Sequence, residues 1–209
     1  GGFIDVVNEE IKDVDDPVEL EAILDRLTKL SQSDRVIFYQ IYQKLIEQSL
    51  SSESSLFKRR IINETIIKLA HNTKSPLFFY RTAMVFLSEI AQFGNDIKSQ
   101  IPLTMLNSLL SSTEYLQLTK PVMEEIKTFL NFSLPMWVKR RLVTTIYVQA
   151  GNSPNPEVAD AALKVLIDIA DNHETIALRF ETLTRIQQLQ KFASMKSVKA
   201  QSNKWLRGN

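Results

Sequence analysis

The run Asn155-Pro156-Glu157-Val158-Ala159-Asp160-Ala161-Ala162-Leu163-Lys164-Val165-Leu166-Ile167-Asp168-Ile169-Ala170 decides the fold. Asn155-Pro156-Glu157 is a helix start: a side-chain acceptor, a proline where no N–H is needed, and an acid in the first turn. Val158, Ala162, Val165, Leu166 and Ile169 then recur at helical spacing and form one apolar stripe. The same start stands at Asp16-Pro17-Val18-Glu19, ahead of Leu20, Ile23, Leu24, Leu27 and Leu30.

Reading outward, the punctuation repeats. Ser33 is expected to cap a helix carrying Val36, Ile37, Ile41, Leu45 and Ile46, followed by a serine-rich turn from Ser51 to Ser55. Leu56 to His71 reads as the next helix. Ser75-Pro76 opens another, ending at Gly94 as a helix-stopping glycine. A helix from Ile97 to Leu110 holds Pro102 in its first turns. Thr119-Lys120-Pro121 is expected to start a helix reaching Phe132, and Ser133-Leu134-Pro135 one stopping at Gly151. The last two run from about His173 to Phe192 and from about Lys196 to Leu206. A first helix, Phe3 to Ile11, with Ile4, Val7 and Ile11 on one side, reads as a cap. No segment has the alternation of a strand.

Alternate helix starts fall near residues 17, 56, 97, 135 and 174, and the intervening ones near 34, 76, 120, 156 and 196. A period of about forty with two helices per unit is the spacing of stacked helical hairpins. One hairpin cannot bury both of its apolar sides, whereas a stack buries them continuously.

The segment 155–170 resembles the second helix of a HEAT repeat. Ser197-Val198-Lys199-Ala200 with Trp205-Leu206 is similar, and Asp34-Arg35-Val36 and Ser75-Pro76 through Ala83, Leu87 and Ile90-Ala91 occupy the same slot. The resemblance spans Pro17 to Arg207. It departs from the pattern in the third unit, where Ser111 to Thr119 is long. No asparagine ladder or third short helix favours an armadillo repeat. The resemblance implies an all-α, right-handed α-solenoid of about five antiparallel helical hairpins. The whole of 1–209 would be one domain, with a cap helix in 1–15 and the units in 16–207. In that family the second helices usually line a concave side that binds partners, and most members are scaffolds, adaptors or transport receptors.

Composition narrows the chemistry. The 209 residues are 44% hydrophobic and 23% charged, with net charge +1, an ordinary globular balance. There is no cysteine, which removes disulfides, thiolate metal sites and cysteine nucleophiles. No stretch approaches a membrane span, and no signal peptide opens the chain. An intracellular setting, cytoplasmic or nuclear, is expected. Gly1-Gly2 at one end and Trp205-Leu206 at the other suggest a piece of a longer protein. The sequons at Asn63 and Asn131 lie in or at the end of helices and are read as chance.

Catalysis is hard to assemble. His71 and His173 sit about a hundred residues apart at helix ends, where the helix dipole favours them. Glu124-Glu125 are neighbours on a helix and point apart, so they make no acid/base pair. A base-excision enzyme on such a fold would need an acid such as Asp168 or Asp160 in an aromatic cleft. No enzyme activity, cofactor or metal is expected.

Charge is the more informative feature. Residues 1–34 carry −7, residues 35–173 carry +3 and residues 174–209 carry +5. Two basic triplets, Lys58-Arg59-Arg60 and Lys139-Arg140-Arg141, open first-of-pair helices, where cations oppose the dipole. Lys191, Lys196, Lys199, Lys204 and Arg207 add to the far end. Solvated faces and salt bridges are the ordinary reading of such groups, and an anion-binding surface the functional one. Arg81, Gln92, Lys127, Lys164 and Lys199 are expected to face the groove of the second helices. Phe38, Tyr42, Phe78, Phe79 and Phe86 read as core, with Trp137 and Trp205 the exceptions. The expected function is a protein-interaction scaffold holding an extended or helical partner segment. The alternative is DNA or RNA binding through the basic clusters.

Overall fold

A computed structural model describes residues 2–51, 53–113 and 115–208, without the side chains of Phe3 and Ile4. The expectation for Ile4 therefore lies outside the described residues. Those residues form eleven α-helices: α1 (Gly2–Asp13), α2 (Pro17–Ser31), α3 (Arg35–Leu50), α4 (Leu56–Thr73), α5 (Pro76–Phe93), α6 (Gln100–Ser111), α7 (Leu116–Phe129), α8 (Met136–Asn152), α9 (Pro156–Asn172), α10 (Ile176–Phe192) and α11 (Lys196–Gly208). A single 3₁₀ turn, Ile97–Ser99, leads into α6.

The helices pack sequentially. α2, α4, α6, α8 and α10 each rest on the next of that series, and α3, α5, α7, α9 and α11 do the same. This makes two layers of alternate helices, with α1 laid on α2 and α3. Side-chain hydrogen bonds follow the period. Tyr42 Oη meets Thr82 Oγ1 at 2.8 Å, 40 residues on. Lys127 Nζ donates to Asp168 Oδ2 at 2.8 Å, 41 residues on, and Trp137 Nε1 donates to Asn95 Oδ1 at 3.0 Å, 42 residues back. Arg185 Nη2 reaches Thr144 Oγ1 at 3.1 Å, again 41 residues away.

Local chemistry explains most boundaries. Asp16 accepts from Val18 N at 3.0 Å with Pro17 at the first helical position, and Asn155 accepts from Glu157 N at 2.8 Å. Gly94 takes φ +50, which only glycine adopts freely, and its N–H closes on Ile90 O at 2.9 Å.

Three boundaries differ from the sequence reading. Asp34, not Ser33, caps α3, accepting from Val36 N at 2.6 Å, while the Ser33 hydroxyl donates to Leu30 O and closes α2. α7 starts at Leu116 rather than at Pro121, which lies inside the helix. Extended Tyr115 sets that start, its carbonyl accepting from Leu118 N and Thr119 N, both at 3.0 Å. The missing Pro121 N–H leaves Gln117 O without its helical donor, but Gln117 is exposed, so solvent can take the donor's place. With this start the long segment in the third unit disappears, and α5, α7, α9 and α11 begin at residues 76, 116, 156 and 196. Finally, Gly151 is buried inside α8 rather than after it. A Cβ there would meet Leu189 Cδ2 at 3.3 Å, so the glycine admits α10 closely.

The expected stripes of α2 and α9 supply much of the core, whereas Val36 of α3 is exposed. Leu20, Ile23, Leu24 and Leu27 of α2 are buried with Ile41, Leu45, Ile62 and Ile66 in one apolar cluster. Val158, Ala162, Val165, Leu166 and Ile169 of α9 are buried too, and Ala162 lies in a second cluster that runs from Phe79 to Val198. Each fully buried leucine or isoleucine contributes about 2 kcal/mol from lost water contact.

Candidate functional site

The first basic triplet is not a surface. Arg59 is fully buried and Lys58 nearly so. Both carried an expected partner-binding role, and neither side chain lies on the surface. Cations placed at the start of α4 reach back to the end of the neighbouring elements, where helix carbonyls lack donors. Arg59 donates to Ser49 O and Ser51 O at the end of α3, and its guanidinium lies 4.3 Å over the Phe93 ring. Lys58 Nζ donates to Lys12 O at 2.7 Å. Only Arg60 is exposed, paired with Glu64 at 3.1 Å.

The second triplet is different. Arg140 and Arg141 are exposed and Lys139 half-buried. Arg141 Nη2 reaches Thr104 Oγ1 at 3.4 Å, and α8 contains no acid. The triplets lie in the same layer, but uncharged α6 separates α4 from α8, so the structure does not bring them together.

Most cations expected in the groove are paired. Arg81 is half-buried with its guanidinium 5.8 Å from the Tyr39 ring centre. Lys127 bridges Glu124 at 2.9 Å and Asp168 at 2.8 Å, joining α7 to α9. Hydrogen bonds from Lys127 and then Asn172 hold the Asp168 carboxyl below its usual range, the wrong direction for a proton donor. Lys164 pairs with Asp160 at 2.9 Å. Gln92 Nε2 donates to Leu50 O at 3.0 Å, so it ties α5 to α3. Lys196, Lys199 and Lys204 are all exposed on α11.

The histidines are tied into the stack. His173 Nε2 donates to Leu130 O at 3.1 Å, and its Nδ1 accepts from Thr175 N at 3.0 Å, which together match the Nε2–H tautomer. His71 Nε2 meets Ser112 Oγ at 2.7 Å. Asn63, one of the two sequons, is fully buried. Among the described residues no group of three or more His, Asp or Glu is placed to hold a metal ion, and no helix is long and apolar enough to cross a membrane.

One concavity was not anticipated. It is a groove of about 760 Å³ between the first turns of α3 and α5, with walls from Ser31, Ser33, Asp34, Phe38, Tyr39, Asn72, Leu77 and Phe78. Leu77 is 59% exposed and Tyr39 43%. Phe78 packs edge-on against Phe38, with ring centres 4.9 Å apart, and forms a rigid aromatic floor. Gln43 Nε2 donates to Tyr39 Oη at 2.9 Å; this bond and Arg81 hold the phenol below its ordinary range. The available signal was phase. Val36, expected with the apolar residues of α3, is instead 64% exposed, and Leu77 is 59% exposed; both stand in the first turn after a helix cap, off the buried stripe. A scan against models of known protein families finds no match to this chain, and a search of curated proteins finds none.

Proposed function

We propose that this chain is a HEAT-like α-solenoid, right-handed and of about five hairpins, that serves as a protein-interaction scaffold. Sequential two-layer packing at a period of about forty supports the architecture. The observation that carries the function is the 760 Å³ groove at the starts of α3 and α5. Its volume falls within the usual range of binding pockets. Exposed Tyr39 and Leu77 over a fixed aromatic floor offer apolar anchors, while Ser33, Asp34 and Asn72 offer polar contacts to an extended backbone. A segment with one or two apolar side chains fits that lining, to which Asp34 and Arg35 contribute one charge of each sign. The role needs no catalytic group, metal or cofactor.

A photo-crosslinking residue at Leu77 tests this, with one at exposed Lys68 in the other layer as control. The expected result is protein adducts from Leu77 alone, retained at 0.5 M salt and lost with Tyr39→Ala. Adducts equal at both sites would overturn the reading.

A second reading, nucleic-acid binding, is favoured by α8, which holds Lys139, Arg140 and Arg141 with no acid. It predicts capture of nucleic acid that fails steeply as salt rises and weakens in Arg140→Glu.

A further inference from the structure

The groove between α3 and α5 carries cations that have no acid. Arg35 lines it, Lys74 stands between the lining residues Thr73 and Ser75, and Arg81 lies one turn beyond Leu77 on α5. Arg35 and Lys74 are exposed; Arg81 is half-buried, with its guanidinium 5.8 Å from the centre of the Tyr39 ring. Among the described residues no carboxylate pairs with any of these three. Lys44, Lys127 and Lys164 of the same layer each hold one, at 3.4, 2.8 and 2.9 Å. The acid in the lining, Asp34, serves its own helix, its Oδ1 accepting from Val36 N at 2.6 Å and from Ile37 N at 3.4 Å.

Tyr39 adds a further donor. Its Oη accepts from Gln43 Nε2 at 2.9 Å, which leaves its own proton for an acceptor outside α3. A guanidinium beside that hydroxyl keeps N–H groups for a planar acceptor, and a carboxylate takes two such bonds at once. The apolar surface decides which anion fits. Leu77 is 59% exposed beside these donors, a neighbour suited to another apolar side chain. A nucleic-acid strand needs a long track of cations and open rings on which to stack. Here Phe38 is buried and packs edge-on against Phe78, with ring centres 4.9 Å apart.

We propose that the occupant of this groove is an acidic peptide segment: an apolar side chain lies on Leu77 and Phe78, and a carboxylate one or two residues away binds Arg81 and the Tyr39 hydroxyl. Arg35 and Lys74 favour further acids along the same segment. The inference rests on the groove being the docking site, and it adds the chemistry of what docks there.

A display library of random heptapeptides, panned against the intact chain and read by sequencing, tests this. The expected result is enrichment of peptides that carry Asp or Glu within two positions of an apolar residue. Panning against Arg81→Gln should remove the preference for acids, and panning against Leu77→Ser the preference for the apolar residue. Unchanged thermal melts verify that both variants fold. Fluorescence polarisation of an enriched, fluorescein-labelled peptide then gives the size of the effect. Replacing its acid by the matching amide should weaken binding to the wild-type chain about tenfold and leave binding to Arg81→Gln unchanged. The peptide replacement alters nothing in the protein, so an effect under twofold overturns the proposal whether or not Arg81→Gln folds. Acidic peptides held equally well by folded Arg81→Gln overturn it too. Apolar peptides enriched without acids, and lost in Leu77→Ser, overturn this inference and leave the groove as the docking site. Enrichment indifferent to Leu77→Ser, or none above an unrelated control protein, overturns both.

Discussion

Around α9 the interior is apolar on every side. Val158, Ala162, Val165 and Leu166 are buried, and the buried polar groups nearby, such as Thr145, Gln149 and Thr182, are uncharged. Between α3, α4 and α5 the same architecture encloses Arg59, Glu89 and Asn63, all fully buried. The two apolar clusters divide here, one ending at Leu69 and the other beginning at Phe79. Arg59 Nη1 lies 4.0 Å from Glu89 Oε2, and Asn63 Nδ2 donates to the same oxygen at 3.3 Å. Glu89 Oε1 and Arg59 Nε have no hydrogen-bond partner. A stack held by apolar contact tolerates small changes of shape; a buried ion pair is held by geometry and is strongly destabilised when one member is removed. The α4–α5 junction is thus the seam of the molecule.

The largest expected effect lies on the apolar side. Ala162→Asp puts an unpaired carboxylate into the second cluster and should lower stability by about 4 kcal/mol or prevent folding. A thermal melt within a few degrees of wild type would show that this interior is more accommodating than its burial implies. Arg59→Met should follow, at about 3 kcal/mol, because it strands Glu89 and the Ser49 and Ser51 carbonyls. A chemical denaturation midpoint unchanged from wild type would mean that the seam is held by its apolar margins instead.

Next comes pH. Burial pushes the Glu89 carboxyl up from 4.5 to about 7, against the lowering pull of Ser49, Asn63 and Arg59. A raised carboxyl binds its proton more tightly in the folded than in the unfolded chain. Its contribution is therefore full below pH 4.5, declines as pH rises, and is gone above about 7. The melting temperature of wild type minus that of Glu89→Gln should fall between pH 5 and pH 8; a flat difference would place the proton elsewhere. The smallest effect is that of Lys127→Ala. Its bridge between α7 and α9 is partly solvated, so about 0.5 kcal/mol is expected, and less at high salt. A loss as large as that of Arg59→Met would erase the contrast between the two regions.

Much of the fold was legible in the residues. Asp16-Pro17 and Asn155-Pro156 cap the helices they announce, and the stripes of α2 and α9 are buried almost residue for residue. Proline failed as a signal at Pro121, because a helix accepts proline in its second turn when the freed carbonyl faces water. The surface was less legible. A Lys-Arg-Arg triplet reads as charge, and only the third dimension shows that Arg59 is aimed at the end of α3 while Arg140 faces solvent. The groove at Tyr39 and Leu77 is made by two helices 40 residues apart, and no local pattern declares it.

The forty-residue reach of the hydrogen bonds between units also bears on how the chain folds. The bond from Lys58 to Lys12, 46 residues apart, and that from Trp137 to Asn95, 42 apart, close loops of nearly the same length. No step must wait for the two ends of the chain to meet, so the entropy of loop closure stays nearly constant as the stack grows. Folding can nucleate in the apolar units around α9 and spread by neighbours. Under force or mild denaturant the same linear order runs in reverse, and the array should part first at α4–α5, with α8–α11 the last to open.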